Sequence, residues 1–213
     1  MALAKVASMR VPQVFTGGSA VTNGYLITTE NGAILIDAPL GCAAWLRKLG
    51  VKPSVLLLTH QHYDHVEDAA AVVAWADCPI YAFADYSRDL TLEILLTDMG
   101  WPMNVEPFVV NRRVACGETF EVAGVPCEVH HIPGHATDGV VFLFPDDAVA
   151  YVGDTLFAGG VGRTDLPGGS WDTLLDGMRK HLLELPAETR VFPGHGEATT
   201  IGRELRQNAF LHG

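Results

Sequence analysis

The chain has 213 residues, 48% of them apolar and 18% charged, which is enough to bury a sizeable core and excludes a disordered chain. Acidic residues outnumber Lys and Arg by 25 to 14, for a formal net charge of −11. With no basic run longer than Arg112–Arg113 or Arg179–Lys180, that balance argues against nucleic acid as a partner and leaves a small-molecule substrate.

No repeat, low-complexity segment or Pro/Ser-rich linker interrupts the sequence, so residues 1–213 are expected to form one domain. The opening MALAKVASMRVPQVF carries no secretory h-region. Short strands come first, at Val11–Phe15, Tyr25–Thr28 and Ala33–Ile36. Glu30-Asn31-Gly32 between the last two is a hairpin signal, because Asn and Gly tolerate positive φ. Ser54–Leu58 carries a continuous apolar run, which predicts a strand buried on both faces. Val66–Ala76 is Ala-rich and predicts a helix that Pro79 stops. Later strands are expected at Cys127–Ile132, Val140–Phe144, Ala148–Val152 and Arg190–Phe192.

Trp171, Leu174, Leu175, Met178, Leu182 and Leu185 recur at helical spacing, with Ser170 as cap and Pro186 as stop. A closing helix is expected over Thr199–Phe210. Hairpins mixed with a few helices argue for an α/β sandwich, two sheets inside and helices outside. No stretch approaches the ~18 consecutive apolar residues of a membrane span. Cys42, Cys78, Cys116 and Cys127 form no CxxC and read as core thiols in a reducing, cytoplasmic setting.

The chemistry concentrates in Thr59-His60-Gln61-His62-Tyr63-Asp64-His65, directly after a predicted buried strand. Three histidines and an aspartate within six residues is metal-ligand density. His60 and His62 are two apart, so an extended segment points them the same way. Asp64 continues that period and His65 opens the next helix. Such a loop can serve two adjacent metals, and imidazole with carboxylate suits Zn, Fe, Mn or Co rather than Ca or Mg. Further candidates follow other predicted strands: His135 in Pro133-Gly134-His135, Asp154 in Val152-Gly153-Asp154-Thr155, and His195 in Phe192-Pro193-Gly194-His195-Gly196. Each time a Gly permits a sharp turn. Five histidines and two carboxylates are enough for two metals of about four ligands each.

On these residues the sequence resembles the metallo-β-lactamase fold superfamily, whose signature is THxHxDH followed by isolated His, Asp and His. Gly153-Asp154-Thr155-Leu156-Phe157 through Gly162-Arg163-Thr164-Asp165-Leu166-Pro167-Gly168-Gly169 resembles the glyoxalase II-like (hydroxyacylglutathione hydrolase-like) enzymes. So does Pro193-Gly194-His195-Gly196 leading into Thr199-Thr200-Ile201-Gly202. The resemblance runs from about residue 12 to about residue 210. It implies an αββα four-layer sandwich with the site where the two sheets meet.

The resemblance also implies His60, His62 and His135 on one metal, Asp64, His65 and His195 on a second, and Asp154 bridging. The implied cofactors are two divalent metals, Zn first, with Fe or Mn as alternatives. The implied reaction is hydrolysis of thioesters of the hydroxyacyl-glutathione type by a metal-bridging hydroxide, with Asp64 accepting a proton. The competing reading is a persulfide dioxygenase with one iron on His60, His135 and Asp154. A flavodiiron reading is set aside because that subfamily places Glu where His62 stands.

Two departures stand out. Val66-Glu67-Asp68 replaces the usual Ile-Gly-Gly, and its two carboxylates are expected to favour a helix N-terminus. Only eighteen residues follow His195, so the helical glutathione-binding domain of glyoxalase II enzymes is expected to be missing. Asp37 is expected to orient a ligand or to serve a turn. Arg163 is the candidate for a substrate carboxylate, with an internal ion pair to a nearby Asp as its competing role. His130, His131, His181 and His212 are expected to be structural.

Overall fold

Apolar runs punctuated by turns build the first half of the chain into one sheet. The computed structural model describes residues 10–212, so most of the stretch on which the absence of a secretory signal was read lies outside the described residues. β1 (Gln13–Gly17), β2 (Thr22–Thr29) and β3 (Gly32–Ile36) form an antiparallel meander, its second turn at Glu30-Asn31. Next come α1 (Cys42–Leu49), β4 (Val55–Leu57), α2 (Tyr63–Val66), α3 (Ala69–Ala76), β5 (Ile80–Ala82), α4 (Glu93–Asp98) and β6 (Arg112–Arg113). β3 through β6 pair in parallel, which completes a six-stranded sheet in chain order. A parallel strand is covered on both faces, hence the unbroken apolar run at β4.

The second half repeats the plan. β7 (Thr119–Val122), β8 (Val125–His131), β9 (Val140–Phe144) and β10 (Val149–Gly153) are antiparallel neighbours. A small hairpin follows, β11 (Leu156–Phe157) with β12 (Gly160–Val161), then α5 (Trp171–His181), β13 (Arg190–Pro193), β14 (Thr199–Thr200) and α6 (Ile201–Gln207). The sheet order is β14-β13-β10-β9-β8-β7.

Alternate residues of each strand face opposite layers. Ile36 and Leu57 meet Phe142, Tyr151 and Phe192 between the sheets. Leu35 and Leu56 point the other way, against Leu46 of α1 and Val72 of α3. Val141 and Val152 likewise pack on Leu174 and Met178 of α5 and Ile201 of α6. The result is the expected αββα sandwich, with each fully buried aliphatic side chain contributing about 1.5–3 kcal/mol. Among the described residues no helix is long and apolar enough to cross a membrane.

Four local readings are corrected. The helix expected over Val66–Ala76 breaks at Glu67-Asp68, where Asp68 leaves helical geometry at φ −101 and ψ 5. Its carboxylate turns away and accepts the Gly41 and Ala43 N–H groups at 2.9 Å, so it caps α1 rather than its own helix. α5 is capped by Ser170 as expected but ends at His181, short of Leu185. The closing helix divides, because Thr199 and Thr200 pair with β13 before α6 begins. Finally, Cys42, Cys78 and Cys127 are buried but Cys116 is exposed.

Candidate metal centre

Four strand ends deliver the polar side chains to one edge of the sandwich. After β4 the chain bends at Thr59 and presents His60 and His62, whose rings meet edge to face with centroids 4.6 Å apart. The single turn of α2 carries Asp64 and His65. Beyond β8, Gly134 turns at φ +126 to present His135, and at the end of β10 Gly153 turns at φ +50 to present Asp154. His195 follows β13. The sheets are tied together here, Val140 N–H donating to Thr59 O at 2.8 Å and Asn23 N–H to Gly194 O at 2.7 Å.

All seven predicted ligands arrive at this edge. The donor atoms of His60, His62 and His135 lie within 4.8 Å of one another, as do those of Asp64, His65 and His195, and those of His60, His65 and Asp154. Asp154 stands between the groups: Oδ2 is 3.5 Å from His135 Nε2 and 3.3 Å from His195 Nε2, while Oδ1 is 3.3 Å from His65 Nε2. His60 Nε2, His65 Nε2, His135 Nε2 and Asp154 Oδ1 are buried and find no hydrogen-bond partner among the described residues. Leaving such atoms unpaired costs about 1–3 kcal/mol each, which cations placed among them would offset. The donor set therefore fits two divalent metals, and its mix of imidazole and carboxylate suits Zn, Fe or Mn.

Outer contacts aim the ligands. Asp37 Oδ2 lies 2.8 Å from His65 Nδ1, and the same carboxylate accepts the Thr59 N–H at 2.8 Å and hydroxyl at 2.7 Å. Asp37 also sits at φ +55, so it both turns the chain and orients a ligand. His135 Nδ1 is 2.8 Å from the Arg163 carbonyl, which frees Nε2 for the centre. The Arg163 side chain pairs with Asp165 at 2.7 and 2.8 Å, so the ion pair forms and the backbone is what reaches the ligand.

Sequence reasoning missed Thr22, whose hydroxyl donates to Asp64 Oδ2 at 2.6 Å from 42 residues away. A threonine opening a strand carries no pattern that would reveal this contact. His131 stacks on Phe83 and His130 lies beside His181, all apart from the ligand clusters. Glu67 is half-buried and also outside those clusters.

The electrostatics divide the centre in two. Burial, then neighbouring imidazoles, hold His60 and His62 below the ordinary histidine range, His62 down to about 3. Burial lowers His135 as well. All three are thereby shifted towards the neutral form, which has a lone pair to offer. On the other side burial is overcome: Asp64, Asp154 and Asp37 raise His65, and hydrogen bonds to Asp154 and Asp64 push His195 up to about 10. Burial likewise opposes ionisation of Asp64, but His65, His195 and Thr22 bring it down to about 2.

A model described as the metallo-beta-lactamase superfamily matches residues 17–195. The hydroxyacylglutathione hydrolase GloC of Haemophilus influenzae is 36% identical over 190 residues, 86% of this chain and 89% of that one. TTHA1623, solved in a di-iron-bound form, has a TM-score of 0.80 at 38% identity, over 93% of this chain and 100% of that one. The B3 metallo-beta-lactamase BLEG-1 has a TM-score of 0.85 at 29% identity, over 95% of this chain and 100% of that one. The di-iron form leaves the metal's identity open. With the family model covering most of its length and its ligands gathered at the sandwich edge, this chain belongs to the metallo-beta-lactamase superfamily, whose members are mostly metal-dependent hydrolases.

Proposed function

We propose that this protein hydrolyses thioesters, of the hydroxyacyl-glutathione type, at a two-metal centre. The observation that carries the reading is one carboxylate, Asp154, set between a neutral three-histidine cluster and an Asp64–His65–His195 cluster. In this reading His60, His62 and His135 hold one metal, Asp64, His65 and His195 hold the other, and Asp154 serves both. When bound, such metals polarise a carbonyl and bring the ionisation of water towards neutral pH. Resemblance to a protein named hydroxyacylglutathione hydrolase supports the substrate class.

The chain's own groups do the rest. Asp37 and the Arg163 carbonyl fix the ring orientations of His65 and His135, so the donor atoms are placed before substrate arrives. Thr22 holds Asp64, which stays ionised and would orient the attacking water, whose proton ends on the departing thiolate. Water adds to the acyl carbon, the carbon–sulfur bond breaks, and acid and thiol leave. A thiolate needs no strong general acid, since thiols ionise near ~8.5.

Asp154→Ala tests this. Hydrolysis of a hydroxyacyl-glutathione thioester is expected to fall about a thousandfold, or about 4 kcal/mol of transition-state stabilisation. The metal-free variant should melt near the wild type, because the core lies behind the site. A variant that keeps its activity at full metal load, or a wild type inert towards thioesters, would count against the reading.

A further inference from the structure

α4 and its flanks are amphipathic the wrong way round. Glu93, a carboxylate, is 1% exposed, while the apolar Ile94, Met99 and Trp101 are 44%, 60% and 67% exposed. The inversion is built in. Glu93 accepts hydrogen bonds from the Tyr86 hydroxyl at 3.0 Å, the Thr91 hydroxyl at 2.7 Å and the Val105 N–H at 3.2 Å. One buried acid thus ties down both ends of the 86–105 segment and leaves its apolar side chains outward. Leu92, just before the helix, is held at φ +62, a strained conformation for a side chain of its size. Folding stability alone would bury Ile94, Met99 and Trp101 and expose the acid. An apolar surface kept in this way marks a binding site.

Its position says for what. Leu95, Leu96, Met99, Trp101, Leu166 and Pro167 line a groove of about 540 Å³, and the exposed Arg163–Asp165 ion pair lines it as well. Leu92 and Pro167 also wall a smaller cavity of about 200 Å³ that His62 lines. Sharing these two wall residues, the spaces are neighbours, one lined by a candidate metal ligand and the other by Trp101. A carbonyl held at the centre has the smaller cavity, which Asp89 and Asp138 also line, on one side of it, and the mainly apolar groove next to that.

We infer that this groove receives the substrate's acyl group, and that the acyl group carries a medium-length aliphatic chain. The inference rests on the hydrolase reading above and narrows its acyl side. Each methylene that enters the groove should tighten binding about two- to fourfold.

The test uses the metal-loaded protein and the acetyl, butanoyl, hexanoyl and octanoyl thioesters of N-acetylcysteamine. The non-hydrolysable octanoyl amide is titrated in parallel by tryptophan fluorescence. kcat/KM should rise at each step of the series, mainly through KM. Met99→Asp, at an exposed position that tolerates charge, should cut the octanoyl-to-acetyl ratio about tenfold. The amide should alter fluorescence, and Trp101→Phe should remove that change.

Equal kcat/KM for acetyl and octanoyl, with no response to the amide, overturns the groove and leaves the hydrolase reading standing. If no thioester is cleaved, the hydrolase reading falls by itself, and the amide titration alone decides the groove. Self-association that Met99→Asp abolishes would also overturn the inference, in favour of a second copy of the chain as the occupant.

Discussion

Asp138 shows how far burial can move a single carboxyl beside this site. It is 3% exposed, its Oδ1 has no partner among the described residues, and burial pushes it up to about 7. An unfolded aspartate ionises near ~3.9, so between there and about 7 the folded chain holds a proton that the unfolded chain has released. Stability from this group is present below the lower value and is lost as pH rises through the upper one, at up to about 1.4 kcal/mol per pH unit. Asp138→Asn should therefore raise the melting temperature of the metal-free protein at pH ~8 and change it little at pH ~4. Equal differences at both pH values would contradict the shift. Asp138 drew no notice in the sequence, since one aspartate in a loop has no pattern. The ligands did, because imidazoles and carboxylates crowded after a buried strand have few other uses. Thr22 stayed hidden, its value resting on a contact across 42 residues.

The elements that present the ligands were legible as strand–Gly–ligand units, although the glycines act differently. Gly134 and Gly153 supply positive φ, as expected. Gly194 is absent from the positive-φ set and supplies space instead: a Cβ there would stand 2.5 Å from His65 Cε1 and also crowd Asp154 Oδ1. Gly194→Ala should then weaken metal binding about ten- to a hundredfold, the range for displaced ligands, while the fold survives. Equilibrium dialysis checks this, and wild-type metal affinity in the variant would show that the close approach does not matter. Helix α1 was missed for a related reason. Its N-cap, Gly41, has no side chain, and the capping carboxylate comes from Asp68 far along the chain. α4 was missed because its burial runs against its hydrophobicity. Both depend on side-chain contacts from outside the helix, which helix propensity does not record.

At the scale of the molecule, the candidate ligands come from both halves of the sandwich. His60, His62, Asp64 and His65 follow β4 of the first sheet, while His135, Asp154 and His195 follow β8, β10 and β13 of the second. The alternation of apolar runs made this layering readable, since each strand must face a core layer on one side and helices on the other. Which loops meet at the edge was not readable from periodicity, and the family resemblance supplied it. Metal analysis of the protein purified without added metal, followed by stepwise reloading with thioester hydrolysis measured at each step, tests the two-metal hydrolase most directly. Two metals per chain, with hydrolysis rising as the second binds, is the expected result. A single iron per chain at excess metal, with oxygen uptake and no thioester cleavage, would contradict it.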